Sequence, residues 1–427
     1  MVNRTLMTRE DIFVPTLLNE PTTNSGFAVA TAFESAAKDQ PMKPDLVVWS
    51  HLRWDFVYQR PQHLLKRSAA DRRVFFIEEP IFNGSMHLDV RERDNGVLVF
   101  TPHLPEGLHS NVAMQAALKE MINRFFGEHD IREYVFWYYT PMALEITRQM
   151  SPIAIVYDCM DELSAFKDAP AALVEHEKEL LKLADVVFTG GHSLFEAKRD
   201  RHPSVYAFPS SIDRAHFNSA RTITEDPDDQ RGITYPRLGF FGVIDERFDI
   251  DLIDQLAEAR PEWQFVMIGP VVKIDPDTLP RQANIHYLGS KSYQELPGYI
   301  AGWDVALLPF AMNESTRFIS PTKTPEYLAA GKPVVSTPIQ DVVRPYGEMG
   351  LAQIAAGKDE FIAAIENALR PSATSDEWLA RVDGFLAKTS WDETWERMSS
   401  LIDHILERKR IMPMLEAPTQ PLGTATY

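Results

Sequence analysis

A lysine and a glutamate, Lys323 and Glu326, stand three residues apart in the stretch FISPTKTPEYLAAGKPVVST (318–337). Thr324 can act as an N-cap and Pro325 suits a first helical position. The stretch therefore predicts a loop, a short helix ended by Gly331, and a strand through Val334 and Val335. Both charges then flank a helix N-terminus, where free N–H groups attract anions. A second pair, Asp158 and Asp161, follows an apolar run directly. Either can contact a ligand, with Asp161 the candidate proton acceptor, or one of them caps the next helix. His51, Arg53, Trp54, Gln59 and Arg60 crowd the loop after the first apolar run. There Arg53 and Arg60 can hold phosphate, and Trp54 is either a stacking surface or core. His192, in TGGHS, is a ligand contact or a structural histidine. Lys66, Arg67, Arg72 and Arg73 read as a solvated basic face.

Metal chemistry finds little support. DPD at 226–228 and 275–277 and DID at 249–251 have the spacing of an Asp-x-Asp metal motif. The first lies in a linker and the second in a loop, while Asp249 and Asp251 open a helix, where acidic residues are expected. No metal is assigned. The single Cys159 excludes an internal disulfide and a cysteine-based zinc site. A formal net charge of −18 repels nucleic acid and anionic lipid overall, so a phosphate-bearing partner must meet a local basic site. Hydrophobic content of 44% and charged content of 24% describe an ordinary globular protein. No apolar run suits a secretory signal or a membrane span, which predicts a cytoplasmic location, with peripheral contact at the inner face of a membrane left open.

The elements that must position these residues alternate between short apolar runs and helical patterns, from Asp45 onward. In the first half the strand candidates are 45–50, 73–78, 96–101, 134–139, 153–158, 185–189 and 204–208. In the second half they are 237–242, 264–269, 284–288, 304–308 and 333–337. The polar stretch RTITEDPDDQRG (221–232) reads as the linker. The expected organisation is an N-terminal arm (1–44), a first doubly wound α/β domain (45–220), a second (233–390), a C-terminal helix (391–410) and a tail (411–427). Ligands of such domains bind at the carboxyl ends of the strands, which predicts a site in the cleft between the two.

Several segments together resemble the two-domain glycosyltransferases of GT-B fold, in particular the Glu-x7-Glu, mostly retaining, family-4-like group. They are SPTKTPEYLAAGKPVVSTP, YDCMDELSAF (157–166), ADVVFTGGHSLFEAKR (184–199), FPSSIDRAHF (208–217), LGFFGVIDERFD (238–249) and NIHYLGSKSYQELPGYIAGWDVALLPF (284–310). WSHLRWDFVYQRPQHLLKR (49–67) is similar to the opening of a bacterial subset linked to cell-surface polysaccharide assembly. The resemblance implies that Glu326 bonds the nucleotide ribose and that Lys323 sits near the donor diphosphate. It places Arg247 near the family's basic diphosphate ligand, although the usual Arg and Lys are not both in register. Gly242, Ser320 and Thr322 complete the implied donor site, the latter two with hydroxyl or backbone hydrogens for phosphate. The sequence departs at one point: the first Glu of the pattern falls on Phe318, and Glu314 is out of register.

The implied activity is transfer of a sugar from a nucleoside-diphosphate sugar to a glycan or lipid-linked acceptor, with no cofactor and no metal. Two alternatives stay open. One is a nucleotide-sugar epimerase; the other is a non-catalytic nucleotide-sugar-binding partner of a polysaccharide-assembly complex, motivated by Phe318. A bilobal solute-binding protein shares the architecture, but the expected lack of a secretion signal argues against it.

Overall fold

The computed structural model describes residues 42–108 and 111–416. The expected arm lies outside the described residues as far as position 41, and the expected tail does so beyond position 416. Among the described residues, fifteen strands form two sheets. The first sheet holds β1 (Asp45–Ser50), β2 (Val74–Glu78), β3 (Ile81–Phe82), β4 (His87–Arg93), β5 (Val97–Leu104), β6 (Tyr134–Tyr138), β7 (Ala154–Cys159), β8 (Val186–Thr189) and β9 (Val205–Ala207). The second holds β10 (Arg237–Phe241), β11 (Gln264–Ile268), β12 (Ile285–Tyr287), β13 (Val305–Leu308), β14 (Val334–Ser336) and β15 (Ala352–Ile354). Both sheets belong to one compact unit that begins at Pro44.

The first sheet runs β3-β5-β2-β1-β6-β7-β8-β9, with β4 antiparallel on β5; the second runs β12-β11-β10-β13-β14-β15 and is parallel throughout. In each, the chain starts in the middle and winds both ways. The order turns at β1, between β2 and β6, and at β10, between β11 and β13. Crevices for ligands open at such turning points, beyond the carboxyl ends of the strands. Both faces of each sheet are covered, so the strands read as continuous apolar runs. In β1, Leu46 and Val48 enter one core cluster, and Val47 and Trp49 enter the cluster on the opposite face.

The chain enters the second lobe earlier than 221–232. Ile212, Phe217 and Ala220, expected in the first domain, are buried in the second lobe's core. The supposed linker is stapled to that lobe. Buried Gln230 donates to the Tyr299 carbonyl (3.0 Å) and accepts from Trp303 Nε1 (3.0 Å), and Asp226 accepts from Arg237 (2.8 Å). The last helix, Trp391–Glu416, runs six residues past its expected end. It returns to the first lobe, where Trp391, Trp395, Met398 and Ile402 complete the core. Strands β3, β4 and β15 were not expected. HLDVRER in β4 has no apolar run because it is a half-exposed edge strand. Arg72 is not part of a solvated face: its side chain is buried beside Asp71 and Asp403.

Candidate functional site

The stretch 318–337 folds as loop, helix and strand, but the helix begins two residues upstream of the expected start. It spans Lys323–Ala329, with Thr322 rather than Thr324 at the cap position. Pro325 becomes the third helical residue, still inside the first turn, where no intrahelical N–H bond is lost. At the other end Gly331 has φ 75°, its N–H bonds to Leu328 O (2.9 Å), and the Lys332 N–H bonds to Tyr327 O (3.0 Å). That left-handed turn is why Gly331 stops the helix.

The Lys323 side chain lies along Gly242, the residue after β10. Gly242 has φ +138°, and a Cβ there would fall 2.2 Å from Lys323 Cε, so only glycine fits. The ammonium faces the rings of Phe240, Phe241 and Phe310 at 5.7, 5.9 and 5.9 Å from their centres. Glu326 is 7% exposed, and its Oε2 is buried with no hydrogen-bond partner. Burial lowers Lys323 to about 8 against the pull of Glu326, and burial raises Glu326 to about 8 against the pull of Lys323. A buried carboxylate oxygen without a donor is an unmet bond, which suits a hydroxyl-bearing ligand.

Asp161 enters from the first lobe, on the loop after β7. Burial raises its carboxyl to about 6, opposed by the charges of Arg247, Arg60 and Lys323 and assisted by Asp245. One carboxylate of the first lobe thus sits in the field of two second-lobe cations. Arg247 is held by Asp245, Nη2 to Oδ2 at 2.6 Å and Nε to Oδ1 at 3.0 Å, and its Nη1 bonds to none of the described residues. Its guanidinium lies 5.2 Å from the ring centre of Phe166, across the crevice, and Lys273 Nζ lies 5.4 Å from the same centre. The structure therefore brings Asp161, Arg247, Lys323, Glu326 and Gly242 together.

Other candidates are spent on the scaffold. Arg60 and Asp158 form a buried bidentate pair, with Nε to Oδ2 and Nη2 to Oδ1 both at 2.9 Å, and Arg60 Nη1 bonds to Phe208 O (2.7 Å). Arg60 therefore has no donor set to offer a phosphate, and Asp158 caps no helix. Arg53 bonds to Glu78 (3.2 Å) and to the carbonyls of Glu79 and Pro80. Trp54 is core, packed edge-on to Phe76 at 5.1 Å. Gln59 caps the helix Arg60–Ser68 through reciprocal bonds with Gln62. His51 stays neutral: burial, with the charge of Lys273, lowers it to about 4, and its Nδ1 is buried without a partner. The His192 ring is exposed, and the residue contributes its N–H instead. Ser320 accepts through its carbonyl from Ser210 Oγ (3.1 Å), and Thr322 occupies the cap position. The three acidic triplets are likewise spent: Asp226 on Arg237, Asp275 on the Asp277 N–H and Asp249 on the Leu252 N–H.

Phe318, where the sequence resemblance would put an acid, packs against the first lobe's core. Glu314 is no substitute, being exposed and paired with Arg317 at 3.7 Å. Three features across the crevice escaped sequence reasoning. Tyr58 of the first lobe stacks on Tyr293 of the second at 4.4 Å, and His216 stacks on the same tyrosine at 4.3 Å. The Tyr293 hydroxyl is buried and unpartnered, held well above its ordinary range by burial and by the charge of Glu326. Asp341 accepts from the N–H groups of His192 (2.8 Å) and Ser193 (2.9 Å), and a Cβ on Gly191 would strike its Oδ2 at 2.2 Å. Only the TGG sequence hinted at that close approach.

Two doubly wound lobes whose carboxyl strand ends share one crevice define the GT-B architecture. Residues 235–370 match the family model of group 1 glycosyl transferases, which places that domain in the second lobe. Over 261 residues the chain is 24% identical to TuaH of Bacillus subtilis (strain 168), which carries the name of a teichuronic acid biosynthesis glycosyltransferase. The match covers 55% of this chain and 63% of that relative's own length. Among solved structures, sucrose-phosphate synthase from Thermosynechococcus elongatus has a TM-score of 0.64 at 13% identity, covering 86% of this chain and 100% of that one. A structure titled trehalose-6-phosphate from E. coli, bound with UDP-2-fluoro glucose, has 0.61 at 14% identity, covering 85% and 99%. Anabaena Alr3699/HepE in complex with UDP and glucose has 0.60 at 12% identity, covering 85% and 100%. These three likenesses establish the fold.

Proposed function

We propose that the protein transfers a sugar from a nucleoside-diphosphate sugar to a glycan or lipid-linked acceptor in cell-surface polysaccharide synthesis, without a metal. The observation that carries the reading is Glu326: a carboxyl whose buried Oε2 bonds to none of the described residues, one helical turn from the buried Lys323 ammonium that lies against Gly242 and Phe310, just after β10 and β13. Glu326 accepts the ribose hydroxyls, and Lys323, Arg247 and the amides of the helix start hold the diphosphate. Two of the structural neighbours were solved with UDP-bearing ligands, UDP-2-fluoro glucose and UDP with glucose, which agrees with this assignment.

In the reaction the bond between the anomeric carbon and the phosphate oxygen breaks, and the electron pair leaves with the nucleoside diphosphate. Lys323 and Arg247 stabilise that charge where water is excluded, in the role a metal ion fills elsewhere. The acceptor hydroxyl bonds to the anomeric carbon and gives its proton to Asp161. A carboxyl near 6 is ionised at neutral pH yet basic enough for that task. A cytoplasmic location accompanies this reading, since nucleotide sugars are the donors; no helix of the described residues is long and apolar enough to cross a membrane.

The test is a thermal-shift panel of nucleotide sugars, followed by a transfer assay with any donor that binds. A panel in which no donor raises the melting midpoint overturns the reading. A second reading, donor binding without transfer, is favoured by Phe318, whose ring takes the place of an acid. Binding with neither transfer, epimerisation nor hydrolysis decides for it.

A further inference from the structure

The loop after β10 carries a second orphaned acid. Both carboxylate oxygens of Glu246 are buried, and neither has a hydrogen-bond partner among the described residues. The loop is firmly held. Asn313 Nδ2 donates to the Glu246 carbonyl (3.3 Å), the Ala311 N–H to the Arg247 carbonyl (2.8 Å), and the Arg247 N–H to Asp245 Oδ1 (3.0 Å). Glu246 is therefore not a swinging surface side chain. Its neighbour Arg247 feels the Glu246 charge but gives its hydrogen bonds to Asp245, so the Glu246 oxygens gain no donor from it. Leaving both oxygens of a carboxylate without donors costs stability, and a native structure that retains such a group calls for an explanation.

Position narrows the choice of ligand. The loop leaves Gly242, where the Lys323 ammonium lies, and reaches Arg247, which faces the first lobe at Phe166. Glu246 thus lies between Gly242 and Arg247, beside groups assigned to the diphosphate, whose negative charge a carboxylate would repel, so the hydroxyl-bearing part of the donor is the ligand that suits it. A carboxylate offers acceptors only, and its two oxygens match two neighbouring hydroxyls. Phe318 offers no acceptor of its own.

We propose that Glu246 binds two hydroxyl groups of the transferred sugar and thereby sets which sugar the protein accepts. The inference rests on the donor reading above and assigns the sugar end of that same site. The test is calorimetry of wild type, Glu246→Gln and Glu246→Ala with UDP-glucose, GDP-mannose, UDP-N-acetylglucosamine and dTDP-rhamnose, each against its matching nucleoside diphosphate. Wild type is expected to bind one sugar nucleotide more tightly than the bare diphosphate. The variants lose about 10–100-fold for that sugar nucleotide and nothing for the diphosphate, a loss of the size expected for a charged hydrogen bond. Variants that keep the wild-type preference, or that weaken the diphosphate equally, overturn the role of Glu246. A wild type that binds no sugar nucleotide and no diphosphate instead overturns the donor reading, and this inference with it. Glu246→Gln keeps the shape of the loop if the alanine variant does not fold.

Discussion

Two sets of charged side chains line the same crevice and are treated in opposite ways. In the first lobe Arg60 and Asp158 are buried together and bonded face to face, and the remaining Arg60 nitrogen is spent on a carbonyl. In the second lobe Glu326 and Glu246 have buried oxygens that bond to none of the described residues, and Lys323 faces three aromatic rings. Arg60, Asp158, Lys323 and Glu326 are all candidates in the sequence, whereas Glu246 is not. The difference is satisfaction: the first pair is fully bonded and holds the scaffold, while on the proposed reading the unbonded oxygens of the second set are a cost the fold carries for a ligand.

The largest effect that would sharpen the contrast is on stability. Arg60→Met strands Asp158 in the core and is expected to cost about 3–5 kcal/mol in urea unfolding; a loss below about 1 kcal/mol would break the comparison. Lys323→Ala should do the reverse, lowering transfer by about 10²–10³-fold with the fold intact by circular dichroism. Next comes Glu326→Gln, which should stabilise the ligand-free protein by about 1–3 kcal/mol while weakening nucleotide binding. The sign is set by linkage. Glu326 is raised from 4.5 to about 8, so its contribution is present below 4.5 and lost as pH rises through about 8. The advantage of the glutamine variant therefore grows across that window. For Asp161, raised to about 6, the ionised form is the base. Transfer should fall about tenfold per unit below pH 6, a limb that Asp161→Asn removes. The smallest effect is expected of Asp341→Ala, about 1 kcal/mol, the usual worth of a helix-capping carboxylate.

Much of this was legible before any coordinates. The strands with two buried faces announced themselves as apolar runs, and the Lys323–Glu326 spacing marked the start of a helix at a strand end. Other features depend on partners far away in the chain. Arg60 and Asp158 lie 98 residues apart, and Arg53 and Glu78 lie 25 apart, so nothing local reveals that each is already paired. The domain crossing was misplaced because a polar stretch can be tied down by side-chain bonds, as Gln230 and Asp226 are, just as firmly as an apolar run. A thin edge strand such as β4 shows no run at all. The orphaned oxygens of Glu326 and Glu246 have no signature in sequence, because a missing bond is visible only once every neighbour has been placed.

The return of the helix Trp391–Glu416 to the first lobe sets an order of assembly. The tryptophans that cover the sheet of β1 are made about half a minute after that strand, at about 10 residues per second. The second lobe, encoded without interruption, can set while the first still waits with one flank bare. In this molecule the later-made lobe is free to mature first, while one flank of the earlier lobe stays bare until the helix Trp391–Glu416 arrives.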